Sequence, residues 1–233
     1  MAKKRPVAKK RPVVKKRVTT KAPRKQAAKP IRRPRQRAQP RLNVLIHGTA
    51  NQGATWYRKI EGERNLYQIV EQELYPGDQM LSFTWNGGIL VPQFKEAARR
   101  LIRKCEELQP SLIRVFCHSN GANVTNFATQ PGTLKDHPGL NVCTIVYLSP
   151  AVRRTILPEV GNVTSSHWVV FRPFDDEVLE NSQATDRDYA SCGLGKYECE
   201  KIVAPNDHWS PTYVEAWDNP KLGLREMVKS VCT

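Results

Sequence analysis

A serine, an acid and a histidine occur in this order along the chain, and each follows an apolar run. Ser119 lies in the segment CHSNG, the adjacent acids Asp175 and Asp176 lie in FRPFDDEV, and His208 lies in APNDHWSP. A serine hydroxyl becomes a nucleophile when a histidine accepts its proton and an acid orients that histidine. These residue types indicate nucleophilic catalysis, provided that the fold brings them together.

The elements that would position these residues alternate between apolar runs and amphipathic segments. Strands are predicted at residues 42–47, 79–85, 112–118, 141–149, 167–173 and near 199–203. Helices are predicted in the second half of 56–74, at 92–108, at 122–129 and in the C-terminal stretch. Because the strands are continuous apolar runs separated by helices, the pattern predicts an α/β fold. Its sheet would have about six mostly parallel strands, covered by helices on both faces.

In this arrangement Ser119 stands between a strand and a helix. A nucleophile elbow has that context and requires small residues two positions before and two positions after the serine. Gly121 meets the second requirement, whereas Cys117 stands where glycine is usual. The start of the following helix would supply backbone N–H groups and a dipole that favour an oxyanion.

Four segments together resemble the α/β-hydrolase family, in particular its compact esterase and lipase-like members. They are IHGTANQG, CHSNG, FRPFDDEV and APNDHWSP, and the resemblance covers nearly all of residues 42–233. The chain order of serine, acid and histidine is that of the family. The sequence lacks the first two strands of the full fold, so the resemblance implies a minimal α/β-hydrolase.

The resemblance implies a role for each candidate residue. Ser119 is expected to attack a carbonyl group, His208 to take and return the proton, and an acid to orient the imidazole. The backbone N–H groups of Thr49 and Asn120 are expected to hold the oxyanion. Asp176 is preferred as the acid because lipase-like members often have x-Val after it. Asp175 remains the alternative.

The resemblance also implies a small-molecule or lipid ester as substrate and no cofactor. The short stretch 151–165 leaves no room for a large lid, so residues 177–198 are the candidates for a segment over the site. His47 and His118 are expected to pack near the site. No metal site is predicted, because Cys192, Cys199 and His208 are too loosely spaced for zinc.

The cysteines leave one question open. None of the six forms a CxxC pair, and no secretory signal is visible, so free thiols are favoured. Cys192 and Cys199 would nevertheless be able to bridge a glycine-rich loop.

Residues 1–41 differ in composition from the rest of the chain. They carry 18 of the 37 basic residues and no acid, which leaves 19 basic against 22 acidic residues in 42–233. The hexapeptide AKKRPV occurs twice, and prolines recur throughout the segment. Charge repulsion and a shortage of apolar side chains predict a disordered, extended tail.

A tail of this kind resembles the basic tails of linker histones and of viral genome-contacting proteins. Its lysines and arginines would neutralise the phosphates of nucleic acid or of another polyanion without reading sequence. An intracellular, nucleic-acid-associated location is expected: nucleoid, nucleus or virion interior. The residues predicted to contact the polyanion are Lys3, Lys4, Arg5, Lys9, Lys10, Arg11, Lys15, Lys16, Arg17, Arg32, Arg33 and Arg35.

Two functional hypotheses from different classes remain at this point. The first is a serine hydrolase that a basic tail tethers to nucleic acid. The second is a non-catalytic structural or packaging protein in which a hydrolase scaffold carries the tail. A depolymerase of a polyester or a cell-envelope ester is a third, weaker fit to a chain without a visible secretion signal. The sequence contains no run of 18 apolar residues and predicts no membrane span. It leaves the oligomeric state open.

Overall fold

The computed structural model describes residues 40–130, 142–153, 155–156, 158, 163–172, 197–202 and 207–230. The predicted tail lies outside them up to residue 39. The first strand begins at Arg41, one residue before the predicted boundary. The strands are β1 (Arg41–Ile46), β2 (Gln79–Phe83), β3 (Leu112–His118), β4 (Val142–Leu148), β5 (Val163–Arg172) and β6 (Tyr197–Ile202).

All strand pairs in the described sheet are parallel, in the order β2-β1-β3-β4-β5-β6. The four strands β2-β1-β3-β4 form its first part, and β5 and β6 continue it beyond β4. The predicted α/β class with a parallel sheet and flanking helices is therefore confirmed. Because the chain passes from β1 outward to β2 and then back to β3, the direction of winding reverses between β1 and β3.

Helices cover both faces of this sheet. The longest, α2, spans Val91–Leu108, and α3 spans Gly121–Thr129. The short α1, Leu66–Gln68, continues directly into a π-helical segment at Ile69–Leu74. Near the C-terminus, a 3₁₀ turn at Ser210–Thr212 precedes α4 (Val214–Asp218) and α5 (Leu224–Ser230).

Side chains alternate between two hydrophobic cores. On β1, Val44 and Ile46 pack on the face that α2 and α3 cover, while Leu45 packs on the face with α1, α4 and α5. One side of α2 is apolar and buried, with Phe94 and Leu101 among its members. A strand buried on both faces needs a continuous apolar run, which is the pattern seen in the sequence.

An ion pair with a buried arginine lies on the face of the sheet that α1, α4 and α5 cover. Arg114 of β3 donates from Nη1 to Asp78 Oδ2 at 2.8 Å, and its guanidinium carbon lies 3.8 Å from the centroid of the Tyr75 ring. The Arg114 side chain is only 2% exposed and that of Asp78 15%. Breaking a buried pair from one side leaves an uncompensated charge.

We expect Asp78→Ala to lower the free energy of unfolding by about 3–5 kcal/mol, because Arg114 then keeps a buried positive charge without its carboxylate. Urea denaturation measures the loss. Glu107→Ala is the matched control, because its pair with Lys104 is more than half exposed on both sides. An exposed pair contributes about 0.5 kcal/mol or less. Equal losses in the two variants would contradict a structural role for the Arg114 pair.

The cysteines correct one prediction. Cys105 and Cys117 are free and buried, as expected, but Cys143 on β4 is disulfide-bonded. The expected compartment does not decide whether two side chains lie within bonding distance in the fold. Within the described part of the chain, no helix is long and apolar enough to cross a membrane.

Candidate active site

The candidate residues lie at the carboxyl ends of β1 and β3, where the winding of the sheet reverses. His47, Gly48 and Thr49 follow β1, and Ser119 and Asn120 follow β3. β1 and β3 are hydrogen-bonded neighbours with Ile46 opposite Cys117, so the two loops start side by side. Open parallel sheets bind ligands in the crevice at such a switch point.

Ser119 has a left-handed backbone conformation, with φ of 52°. Its N–H donates to Leu148 O at 3.1 Å, and its carbonyl accepts from Ala122 N at 3.1 Å and Ala151 N at 3.2 Å. A non-glycine residue in this region costs about 1–3 kcal/mol, which these backbone bonds must offset. The turn therefore holds the serine in the strained geometry that a nucleophile elbow requires.

Positive φ values concentrate around this site. Among the described residues, four that are not glycine have positive φ, and three of them follow strands of the sheet: Ala50, Ser119 and Ser149. Strain of this kind clusters at functional sites in proteins. Three of the four positive φ values among the described non-glycine residues therefore lie at the carboxyl edge of the sheet.

Two glycines let the loops approach closely. A Cβ on Gly48 would lie 2.6 Å from Ser119 Cβ and 3.2 Å from its Oγ. A Cβ on Gly121 would lie 2.8 Å from the carbonyl oxygens of both Ile46 and His47. Any larger residue at either position would push the loop after β1 away from the serine. Glycine is therefore the residue that fits sterically at both positions.

Cys117, at the position where glycine is usual, fits without disturbing the turn. Its side chain is fully buried in the core beneath α3, and its Sγ lies 3.7 Å from Val146 O. Burial raises the pKa of the Cys117 thiol to about 12, so it is not a thiolate at neutral pH. Ser119 is thus the hydroxyl or thiol to test as the nucleophile at this turn.

Backbone N–H groups suited to an oxyanion are present at both loops. Within the described residues, neither the Thr49 N–H nor the Asn120 N–H donates a hydrogen bond to any protein group. The Asn120 side chain joins the two loops, because its Nδ2 donates to Thr49 Oγ1 at 2.6 Å. Pre-oriented donors without a protein acceptor are what oxyanion stabilisation uses.

His47 fixes the loop after β1. The N–H of Trp85 donates to His47 Nε2 at 3.2 Å, so the ring proton is on Nδ1, which donates to Gly48 O at 2.7 Å. Trp85 Nε1 also donates to the His47 carbonyl at 2.8 Å. Burial is the largest influence on the pKa of His47 and lowers it, which favours the neutral ring. These contacts match the packing role expected of His47.

His118 links the serine turn to the segment that contains His208. Its Nε2 donates to the carbonyl of His208 at 3.1 Å, and the two ring centroids are 4.9 Å apart. The Trp209 ring lies over His118 at 4.4 Å. His208 is 3% exposed. The structure therefore brings the backbone of His208 against the residue that precedes Ser119, and His118 packs as expected.

An open groove of about 460 Å³ lies beside these histidines. Trp56 and Trp209 are two of its walls, and both rings also contact His118, at 5.9 Å and 4.4 Å between centroids. Its lining also includes the apolar Ala54 and Val214 and charged side chains such as Glu63 and Arg64. The groove therefore offers a ligand both apolar and charged surface.

Several predicted residues lie outside the described part of the chain. They are both candidate acids, Asp175 and Asp176, the segment 177–198, and all twelve basic residues predicted to contact a polyanion. Among the described residues, no group of three or more His, Cys, Asp or Glu side chains is placed to hold a metal ion.

Asn123 was not among the predicted site residues, although it joins three parts of the site. Its Nδ2 donates to Asn120 Oδ1 and Ala151 O, and its Oδ1 accepts from Arg153 N. The sequence carries a signal for it, because Asn120, Asn123 and Asn126 recur every three residues in a segment that becomes wholly buried. Amide groups buried at that spacing need partners.

No family model matches the chain, and no curated protein matches it. Among solved structures, the chain is similar to Smu.1393c from the cariogenic pathogen Streptococcus mutans, with 10% sequence identity and a TM-score of 0.43. The match covers 82% of this chain and 89% of that chain. At this level the similarity assigns no function to the chain.

Proposed function

We propose that this protein is a serine hydrolase of carboxylic esters, built on a minimal α/β-hydrolase arrangement. Ser119 is the nucleophile and His208 the general base and acid. The backbone N–H groups of Thr49 and Asn120 form the oxyanion hole. Asp176 is the orienting acid, with Asp175 as its alternative.

One observation carries this proposal: Ser119 has a positive φ at a strand-to-helix turn, beside two N–H groups that no described group uses. A serine that only caps a helix has extended backbone angles and donates or accepts within the helix start. Here the described hydrogen bonds do not involve Ser119 Oγ, and the residue is 7% exposed. The strained, unengaged hydroxyl next to free donors favours catalysis over capping.

The reaction follows from these roles. Ser119 Oγ attacks the ester carbonyl carbon while His208 takes the hydroxyl proton, and the carbonyl oxygen becomes an oxyanion held by the two N–H groups. When the tetrahedral intermediate collapses, the C–O bond to the alcohol breaks and His208 protonates the leaving alkoxide. Water, activated by His208, then hydrolyses the acyl-enzyme and restores the serine.

The groove lined by Trp56 and Trp209 supports a small-molecule or lipid ester as the substrate. Both aromatic rings contact His118, which in turn donates to the backbone carbonyl of His208, so the walls of the groove are in contact with the segment that carries the proposed base. Aromatic walls offer a large apolar area with defined shape. The groove is therefore the proposed site for one side of the ester.

Labelling with a fluorophosphonate probe tests the proposal most directly, because the probe reacts only with an activated serine. We expect the label to map to the peptide that contains Ser119 and to disappear in Ser119→Ala. Ser149→Ala is the matched control, since Ser149 also follows a strand with a positive φ of 42° and is buried. Labelling that is lost in Ser149→Ala and kept in Ser119→Ala would reject the assignment.

We further propose that residues 1–41 bind nucleic acid or another polyanion and keep the enzyme near it inside the cell or virion. The charge division along the chain supports this proposal, because the tail holds 18 basic residues and no acid while the remainder is net acidic. The same division would suit a non-catalytic packaging protein. An inert Ser119 would favour that alternative.

Deleting residues 1–39 is expected to abolish DNA binding and to leave ester hydrolysis nearly unchanged. The deletion stops before Pro40, because the Pro40 carbonyl accepts from Ser111 N at 2.9 Å. For the full chain, log K against log[salt] should have a slope of about −7 if about eight phosphates are neutralised on duplex DNA. Fluorescence anisotropy across a salt series measures the DNA affinity and its dependence on salt.

A scrambled tail of the same composition is the control for the deletion, because counterion release depends on charge and not on sequence. It should bind as tightly as the natural tail. Equal DNA affinity of the full and shortened chains would place the contact surface in the body.

A further inference from the structure

A chain of buried amide side chains leads from the segment after β4 to the oxyanion loop, and backbone groups fix its polarity. The Arg153 N–H donates to Asn123 Oδ1 at 2.9 Å, and Asn123 Nδ2 donates to the Ala151 carbonyl at 2.9 Å. A backbone N–H can only donate and a carbonyl can only accept. The oxygen and nitrogen of the Asn123 amide therefore have one orientation.

The orientation of the Asn123 amide determines the orientation of the Asn120 amide. Asn123 Nδ2 also donates to Asn120 Oδ1 at 2.8 Å, so the Asn120 oxygen is the acceptor and its nitrogen faces the other way. Asn120 Nδ2 then donates to Thr49 Oγ1 at 2.6 Å. Asn123 and Asn120 are 0% and 1% exposed, so water does not compete for either amide.

The consequence concerns the hydroxyl proton of Thr49. Because Asn120 can only donate to Thr49 Oγ1, it cannot accept the hydroxyl proton, and within the described residues no other group accepts it. A threonine hydroxyl has one proton to donate besides its lone pairs. Thr49 thus keeps a free O–H donor at a half-buried position.

The loop that carries this donor lies against the serine. Gly48, the neighbour of Thr49, approaches Ser119 so closely that a Cβ there would be 3.2 Å from Ser119 Oγ. The ring of His47 fixes the same loop through Gly48 O and Trp85 N. The loop that carries the Thr49 hydroxyl is therefore fixed by its packing against Ser119 and by the hydrogen bonds of His47.

We propose that the Thr49 hydroxyl is a third donor to the oxyanion, in addition to the Thr49 and Asn120 N–H groups, and that Asn123 is a positioning residue that keeps it free to donate. The proposal rests on the serine hydrolase function proposed above. In the tetrahedral intermediate, the Thr49 O–H donates to the negative oxygen while Thr49 Oγ1 accepts from Asn120. No proton is transferred in this contact.

Two substitutions of Thr49 test the hydroxyl, and Thr49→Val also removes the acceptor of Asn120 Nδ2. Thr49→Val keeps the shape and the backbone N–H and removes the O–H, whereas Thr49→Ser keeps the O–H and loses a methyl group. Removing one oxyanion donor costs about 10²–10³ in kcat. We expect kcat for a p-nitrophenyl ester to be about 10²-fold higher in Thr49→Ser than in Thr49→Val, with KM similar in the two. Equal kcat values would overturn the proposal.

A double-mutant cycle tests the role of Asn123. Asn123→Asp is isosteric and cannot donate to Asn120, so Asn120 is free to turn and accept the Thr49 proton. When residue 49 is threonine, we expect Asn123→Asp to lower kcat about tenfold or more. In Thr49→Val, we expect Asn123→Asp to cause little further loss, because both changes act on the same donor. Additive losses in protein that is folded by circular dichroism would show that Asn123 does not act through Thr49.

Fluorophosphonate labelling distinguishes failure of this inference from failure of the proposed function. If Ser119 is labelled and Ser119→Ala is inactive, equal rates in the two Thr49 variants reject only the third donor. If Ser119 is not labelled, the hydrolase proposal fails, and the inference fails with it.

Discussion

Ser119→Ala is expected to lower kcat for short p-nitrophenyl esters by about 10⁶, close to the background rate. The loss is this large because the residue forms the covalent intermediate, and removing a triad nucleophile eliminates that route altogether. The side chain is 7% exposed and its Oγ is free of described hydrogen bonds, so the substitution should leave the fold intact. Steady-state hydrolysis with purified full-length protein measures the effect.

Ser149→Ala is the matched control for this prediction as well, and should reduce kcat far less. Ser149 N donates to Phe171 O, which fixes the turn after β4 through the backbone and not through the hydroxyl. Activity near the wild-type level in Ser119→Ala would mean that another group is the nucleophile.

The parallel sheet was predictable because its strands are buried on both faces and read as continuous apolar runs. The predicted strand at residues 112–118 coincides with β3. The strand predicted at 79–85 ends at Phe83 instead, because the Trp85 N–H donates to His47 and not to a neighbouring strand. That bond joins residues 38 positions apart, which local apolar patterning does not register.

Two other elements differ from their sequence predictions for similar reasons. β5 begins at Val163, whereas the apolar run that predicted it starts at 167, because pairing with β4 extends a strand beyond its hydrophobic part. The predicted helix in 56–74 becomes π-helical from Ile69, with Tyr75 N bonded to Val70 O at 3.0 Å. Apolar spacing predicts a helix and does not distinguish its hydrogen-bond period.

The candidate site was predictable where it depends on local geometry. A serine between a strand and a helix with glycine two residues later is a short-range pattern, and the turn at Ser119 has the backbone angles that this pattern requires. The spacing of the asparagines marks Asn123 as a residue that needs partners, but it does not identify them, because Ala151 and Arg153 come from beyond the next strand. Long-range hydrogen bonds leave no spacing signature.

Asp176→Asn is expected to lower kcat by about 10⁴, and Asp175→Asn to lower it far less. The orienting acid accepts from the imidazole Nδ1–H, so an amide in its place favours the tautomer that cannot take the serine proton. Both variants are isosteric and differ by one residue in position, which makes each the control for the other. Measurements at a single pH, with the same ester, rank them.

Asp207→Asn is a control that removes a negative charge next to His208 without removing the proposed acid. It shows how much of the effect of Asp176→Asn comes from the loss of charge alone. Asp207 precedes His208, and its Oδ1 accepts from Trp209 N at 3.1 Å, so it caps the turn. We expect this variant to lose less than about tenfold in kcat, because an amide oxygen still accepts that bond.

A reversed ranking of Asp176 and Asp175 would move the acid by one residue and leave the mechanism standing. If both variants keep wild-type kcat, the triad has no acid in this segment, and another group must orient His208.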